Sequence, residues 1–91
     1  MKFKELVFKQ YPNVPGEESI QALKFFPNGY GVSVVRFPGS YGYPEGLYEV
    51  AVIQGTQDDY KLCYDTPVTK DVLGNRDEQD VENIMEEVES L

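Results

Sequence analysis

The pentapeptide Phe26-Pro27-Asn28-Gly29-Tyr30 constrains this chain more than any other segment. Proline presets φ at the first central position of a type I turn. Asparagine accepts the second, and glycine takes the left-handed conformation that closes a hairpin with a G1 bulge. The flanking runs, Ile20 to Phe26 and Tyr30 to Phe37, are therefore expected to pair antiparallel. The second run is rich in β-branched residues and apolar on both faces, as a central strand would be.

Other segments extend the pattern. Phe3 to Phe8 reads as a short strand, with one turn of helix as the alternative. Tyr11 to Gly16 carries two prolines and a glycine and breaks any regular element. Pro38 to Gly46 (PGSYGYPEG) is a loop. Leu47 to Gln54 and Tyr60 to Tyr64 read as strands across the polar turn Gly55 to Asp59. Asp65 to Thr69 should end the sheet. Asp77 is a good helix N-cap, with Glu78 and Asp80 in the first turn, where the helix dipole favours negative charge. Val81, Ile84, Met85, Val88 and Leu91 then recur at helical spacing and form one apolar stripe.

Burial joins these elements. A meander of four or five antiparallel strands has a face to cover, and a single C-terminal amphipathic helix is the available cover. The expected architecture is α+β, one domain over residues 1–91, with the sheet at about 3–64 and the helix at about 78–90. The stripe Val81, Ile84, Met85 and Val88 should pack on Val32, Val34, Val50 and Val52.

Composition narrows function. The chain has 91 residues, 16 acidic and 8 basic side chains, no histidine, no tryptophan and one cysteine. Without histidine, most general acid–base and zinc chemistry is removed. One cysteine forms no internal disulfide, and no apolar run is long enough to span a bilayer. A signal-peptide core is not seen. A soluble protein of a reducing cytoplasm is expected. Residues 1–45 carry five basic and four acidic side chains, whereas residues 46–91 carry three and twelve. The net −8 is thus a near-neutral half joined to a half at −9. This balance argues against direct nucleic-acid binding, which needs a basic face.

The strings GYGVSVVRFPGSYGY at 29–43, GLYEVAV at 46–52 and LCYDTPVTKDVLG at 62–74 resemble a family of small accessory proteins of tailed bacteriophages. The resemblance runs from about residue 20 to the end of the helix. Asn75-Arg76-Asp77 departs from the Leu-Thr-Glu type of cap expected there. The resemblance implies a protein made in the cytoplasm of an infected host, and it carries no activity or catalytic residue.

Cys63 has no histidine to make it a thiolate and reads as a buried apolar thiol. Asp71 at the first position of a calcium loop would put Leu73 at the third, so the aspartates read as turn and cap residues. The loop glycines lack the spacing of a phosphate cradle. Tyr41 and Tyr43 stand in a Gly/Ser/Pro loop, and two readings stay open. They are aromatic anchors for a partner, or they fold back and shield the sheet edge. Glu78, Glu82, Glu86 and Glu89 fall on one helix flank about 6 Å apart along the axis. That is roughly half the linear charge density of a DNA strand. The plain reading is a solvated face, and nucleic-acid mimicry is the sharper one.

The leading expectation is a non-enzymatic binding protein without cofactor or metal. Tyr41, Tyr43, Glu78, Glu82, Glu86 and Glu89 would meet a protein partner with a basic surface, and inhibition of a host defence nuclease is the sharpest form of this. The alternatives are an assembly protein that self-associates through a sheet edge, and a small enzyme with a carboxylate pair.

Overall fold

A computed structural model describes all residues 1–91. The Pro27-Asn28-Gly29 turn forms as the sequence requires. The N–H of Gly29 reaches the Phe26 carbonyl at 3.1 Å, the N–H of Phe26 reaches Tyr30 at 2.8 Å, and Gly29 sits at φ 87°. It joins β2 (Ile20–Phe25) to β3 (Tyr30–Arg36), with Ala22 opposite Val34 and Lys24 opposite Val32. The loop after β3 returns as β4 (Tyr48–Thr56), which pairs with β3 through Val32↔Val52 and Val34↔Val50. A two-residue turn leads into β5 (Asp59–Leu62) against the second half of β4. The strand β1 (Lys9–Gln10) flanks β2, giving the antiparallel order β1-β2-β3-β4-β5.

Two expectations need correction. Phe3 to Phe8 is not a strand: Phe3–Glu5 is a 3-10 turn, and the first pairing begins only at Lys9. Packing decides this, because the Phe3 and Phe8 rings gather on Tyr48 at 5.2 and 5.6 Å and leave the segment no strand partner. Nor does the sheet end at Tyr64. The strand β6 (Leu73–Arg76) pairs with the first half of β4. The outer edge of β4 is thus shared, β5 on its C-terminal half and β6 on its N-terminal half.

The β6 pairing is bulged. Val50 faces Leu73 and Tyr48 faces Arg76, so one extra residue is absorbed between them. Asn75 takes it up at φ 56°, the only non-glycine in the left-handed region. A period-2 strand would turn Leu73 and Arg76 to opposite faces. The bulge places both on the same one.

The helix α1 (Glu78–Glu89) covers that face. The Asp77 side chain accepts from Asp80 N–H at 2.8 Å, and the Asp80 carboxylate accepts from Asp77 N–H at 3.1 Å. This is a reciprocal cap built from two aspartates. Val81, Ile84, Met85 and Val88 are buried and share one core with Val32, Val34, Val50, Val52 and Ala22. Burying each such valine removes its surface from water and contributes roughly 1.5–3 kcal/mol. On the opposite face no helix lies. Ile53 is nevertheless fully buried there, between Gly31 and Leu62 in the sheet.

Candidate binding surface

The loop between β3 and β4 is ordered by its own polar groups. The Ser40 hydroxyl donates to the Phe37 carbonyl at 2.7 Å and accepts from the Phe37 N–H at 3.1 Å. A second 3-10 turn follows at Tyr43–Glu45. Its two tyrosines part company. The Tyr43 ring lies under the Arg36 guanidinium at 4.5 Å, and Arg36 also donates to the Tyr43 carbonyl at 3.1 Å. Tyr43 is thereby folded back on the sheet. Tyr41 is 69% exposed and rests by its inner ring edge on Gly74 of β6, where an added methyl would come within 2.8 Å of it.

The four glutamates on α1 do not form one continuous line. Glu82 is largely covered: its carboxylate accepts from Phe3 N–H at 2.7 Å and lies 3.9 Å from Lys2 Nζ. It is an anchor for the N-terminal segment. Glu89 borders a cleft with Met1, Glu5 and Lys24. Glu78 sits at the other end of the helix, near the Tyr48 phenol. Glu86 turns to the outer flank with Glu87, where both line a groove of about 620 Å³ with Pro67, Val68, Asn83 and Ser90. From the helical rise, Glu86 lies roughly 12 Å along the axis from Glu78. The tyrosine loop is therefore beside Glu78, and the acidic groove is at the far end.

The Lys2–Glu82 contact is the single ion pair in the chain. Fifteen of the 16 acidic side chains accordingly form no ion pair, and the negative charge of the acidic half is left largely uncompensated by direct contacts. No three His, Cys, Asp or Glu side chains converge as metal ligands, and no helix is long and apolar enough to cross a membrane.

Three titratable groups are displaced from their ordinary values. Burial first, and the nearby Glu78 carboxylate second, push the Tyr48 phenol up, with Arg36 acting the other way. Burial pushes the Glu49 carboxyl up against the Tyr41 backbone N–H. The Cys63 thiol donates to the Asp65 carboxylate at 2.8 Å. That hydrogen bond, then burial, holds the thiol protonated. Cys63 is buried, and its bond to Asp65 disfavours the thiolate a nucleophile needs.

Tyr48, Arg36 and Arg76, at the α1 N-terminal end of the sheet, carry no joint signal in the sequence: Arg76 reaches Tyr48 only through the β4–β6 pairing, which has no hydrophobic signature of its own. Glu87 and Asn83 of the acidic groove have only the pattern of helix surface. No family profile, curated protein or solved structure matches the chain.

Proposed function

We propose that this chain is a non-enzymatic phage accessory protein that binds a protein partner through a basic patch on that partner. The observation that carries the reading is the acidic groove along α1. Glu86 and Glu87 line an open groove of about 620 Å³, and neither is paired with a basic side chain. An unneutralised acidic wall around a concave surface accepts lysine or arginine side chains and accelerates encounter with a positively charged partner. Tyr41, exposed on the loop at the other end, adds an aromatic contact. The phage setting rests on the resemblance of the motifs at 29–52 and 62–74. A nuclease of host defence has the basic surface this reading calls for.

The test is affinity capture of the tagged chain from phage-infected bacterial lysate. It is run beside a Glu86→Lys/Glu87→Lys variant shown to unfold at the same temperature. A specific partner that the wild-type chain retains, that the variant loses, and that elutes with rising salt supports the reading. A partner held equally by both chains overturns it, as does recovery of none.

One observation favours a second reading, assembly through a sheet edge. All four residues of β5 are exposed, with Leu62 at 52%, and β5 has a partner strand on one side only. Such an edge is a template for pairing with another strand. Light scattering over a range of concentrations tests it: a monomer throughout removes self-assembly.

A further inference from the structure

The chain contains only two arginines, Arg36 and Arg76. The topology brings them together. Arg76 lies opposite Tyr48 in the β4–β6 pairing, and the β3–β4 register that sets Val35 against Glu49 sets Arg36 against Tyr48. Paired residues point to the same face, so Arg36 and Arg76 flank Tyr48 on the face that α1 covers. Strands are spaced about 4.8 Å, which puts the two arginine backbones roughly 10 Å apart, well within the span of two arginine side chains.

Neither arginine forms an ion pair, although the chain has 16 acidic side chains. The Nε of each is buried and has no hydrogen-bond partner. Unpartnered buried donors are rare in folded proteins because the hydration they lose on burial is not replaced. Arg36 is also held in place, by the Tyr43 ring under its guanidinium and the Tyr43 carbonyl on its Nη2. Such prior ordering lowers the entropy lost on binding.

We propose that Arg36 and Arg76 form a binding site beside Tyr48, at their guanidinium ends, for a phosphate-type oxyanion, free or carried on a nucleotide. Guanidinium forks match the oxygens of such an anion with paired hydrogen bonds. The Glu78 carboxylate is close enough to act on the Tyr48 phenol. It opposes an anion there and sets an upper bound on affinity. The site is separate from the acidic groove and stands or falls independently of it.

The experiment is an NMR titration of the full chain with inorganic phosphate at constant ionic strength, with chloride as the compensating salt. Saturable shifts of both arginine Nε–H signals and of the Tyr48 amide are expected. Arg76→Gln should weaken binding about tenfold, Arg76→Lys should weaken it less, and Glu78→Gln should tighten it. A parallel titration with ADP separates the sources: tighter binding than phosphate assigns the site to a nucleotide, and equal binding assigns it to the free anion. Shifts that fail to saturate, or that spread over the lysines, overturn the proposal. So does an Arg76→Gln chain with a native amide spectrum and unchanged binding. If the variants do not fold, the wild-type titration alone decides.

Discussion

The Phe3 backbone N–H donates to the Glu82 carboxylate at 2.7 Å across 79 positions of sequence. It fastens the 3-10 turn to α1 and, with it, the Phe3 ring that packs on Tyr48 and Phe8. Replacing Glu82 by alanine removes a charged acceptor from a part-buried donor. A loss of about 1–3 kcal/mol is expected, read as a lower urea midpoint with unchanged slope. Glu82→Gln keeps an acceptor oxygen and should lose less. Equal stability of all three chains would show that the contact contributes nothing. Because Glu82 serves this structural role, reversing its charge is a poor test of partner binding, and Glu86 and Glu87 are the better positions.

Asn28 does more than complete the β2–β3 turn. Its side-chain NH2 reaches the carbonyls of Val88, Glu89 and Leu91 at 2.9, 3.2 and 3.1 Å, while its oxygen accepts from Tyr30 N–H at 3.0 Å. One turn residue thus caps the C-terminal end of α1 and couples the hairpin to the helix. Asn28→Ala is expected to cost roughly 1–2 kcal/mol. Asn28→Asp should cost more, since it removes the donor and sets a negative charge against the negative end of the helix dipole. Thermal unfolding of the two variants checks the order; an aspartate chain as stable as wild type would refute the cap.

Asn28 also marks how far the sequence could be read. Its local role is legible because turn chemistry acts within five residues. Its second role, 60 positions away, is set by where the helix lands. The α1 stripe and the β3 and β4 valines were legible for a related reason: periodicities of 3.6 and 2 are each a property of one segment, and burial then forces the two faces together. The strand β6 was not. Leu73-Gly74-Asn75-Arg76 has one apolar residue and a bulge at Asn75, so no alternation survives in it. Phe3 to Phe8 is no strand because β-formers also serve as plain packing groups, and the two rings packed on Tyr48 outweigh strand propensity. For the candidate surface, helical spacing located the glutamates but could not tell Glu82, which faces the N-terminal segment, from Glu86, which faces the groove. Only about 40° of helix rotation separates Glu82 from Glu86.

Glu49 makes a pH signature. It stands opposite Val35 on the sheet face away from α1, where burial raises its pKa above the ordinary glutamate value. The folded chain therefore holds this proton more tightly than the unfolded chain does. The sign follows: the group's contribution is most favourable below the unfolded pKa, and stability falls as pH rises through the raised one. Glu49→Gln removes the charge that is poorly accommodated. It should be more stable than wild type at pH 7, with the difference vanishing by about pH 4. Paired urea titrations across that range check it. A glutamine chain that is weaker at pH 7 would mean the Tyr41 N–H outweighs burial.

Tyr41 and Tyr43 separate the two roles an aromatic loop can play. Tyr43 is committed internally through Arg36, so Tyr43→Ala should cost about 1 kcal/mol of stability from the lost cation–π contact and stem packing. It should also loosen Arg36, seen as faster solvent exchange of its Nε–H. Tyr41 is exposed over most of its surface, and Tyr41→Ala should change stability by no more than about 0.5 kcal/mol. If the loop anchors a partner, the order reverses in binding. Tyr41→Ala then weakens capture at least as much as Tyr43→Ala despite leaving the fold intact. Equal capture by the wild-type and Tyr41→Ala chains would assign the loop to shielding β6, where its ring lies over Gly74, and would leave the acidic groove as the whole of the interface.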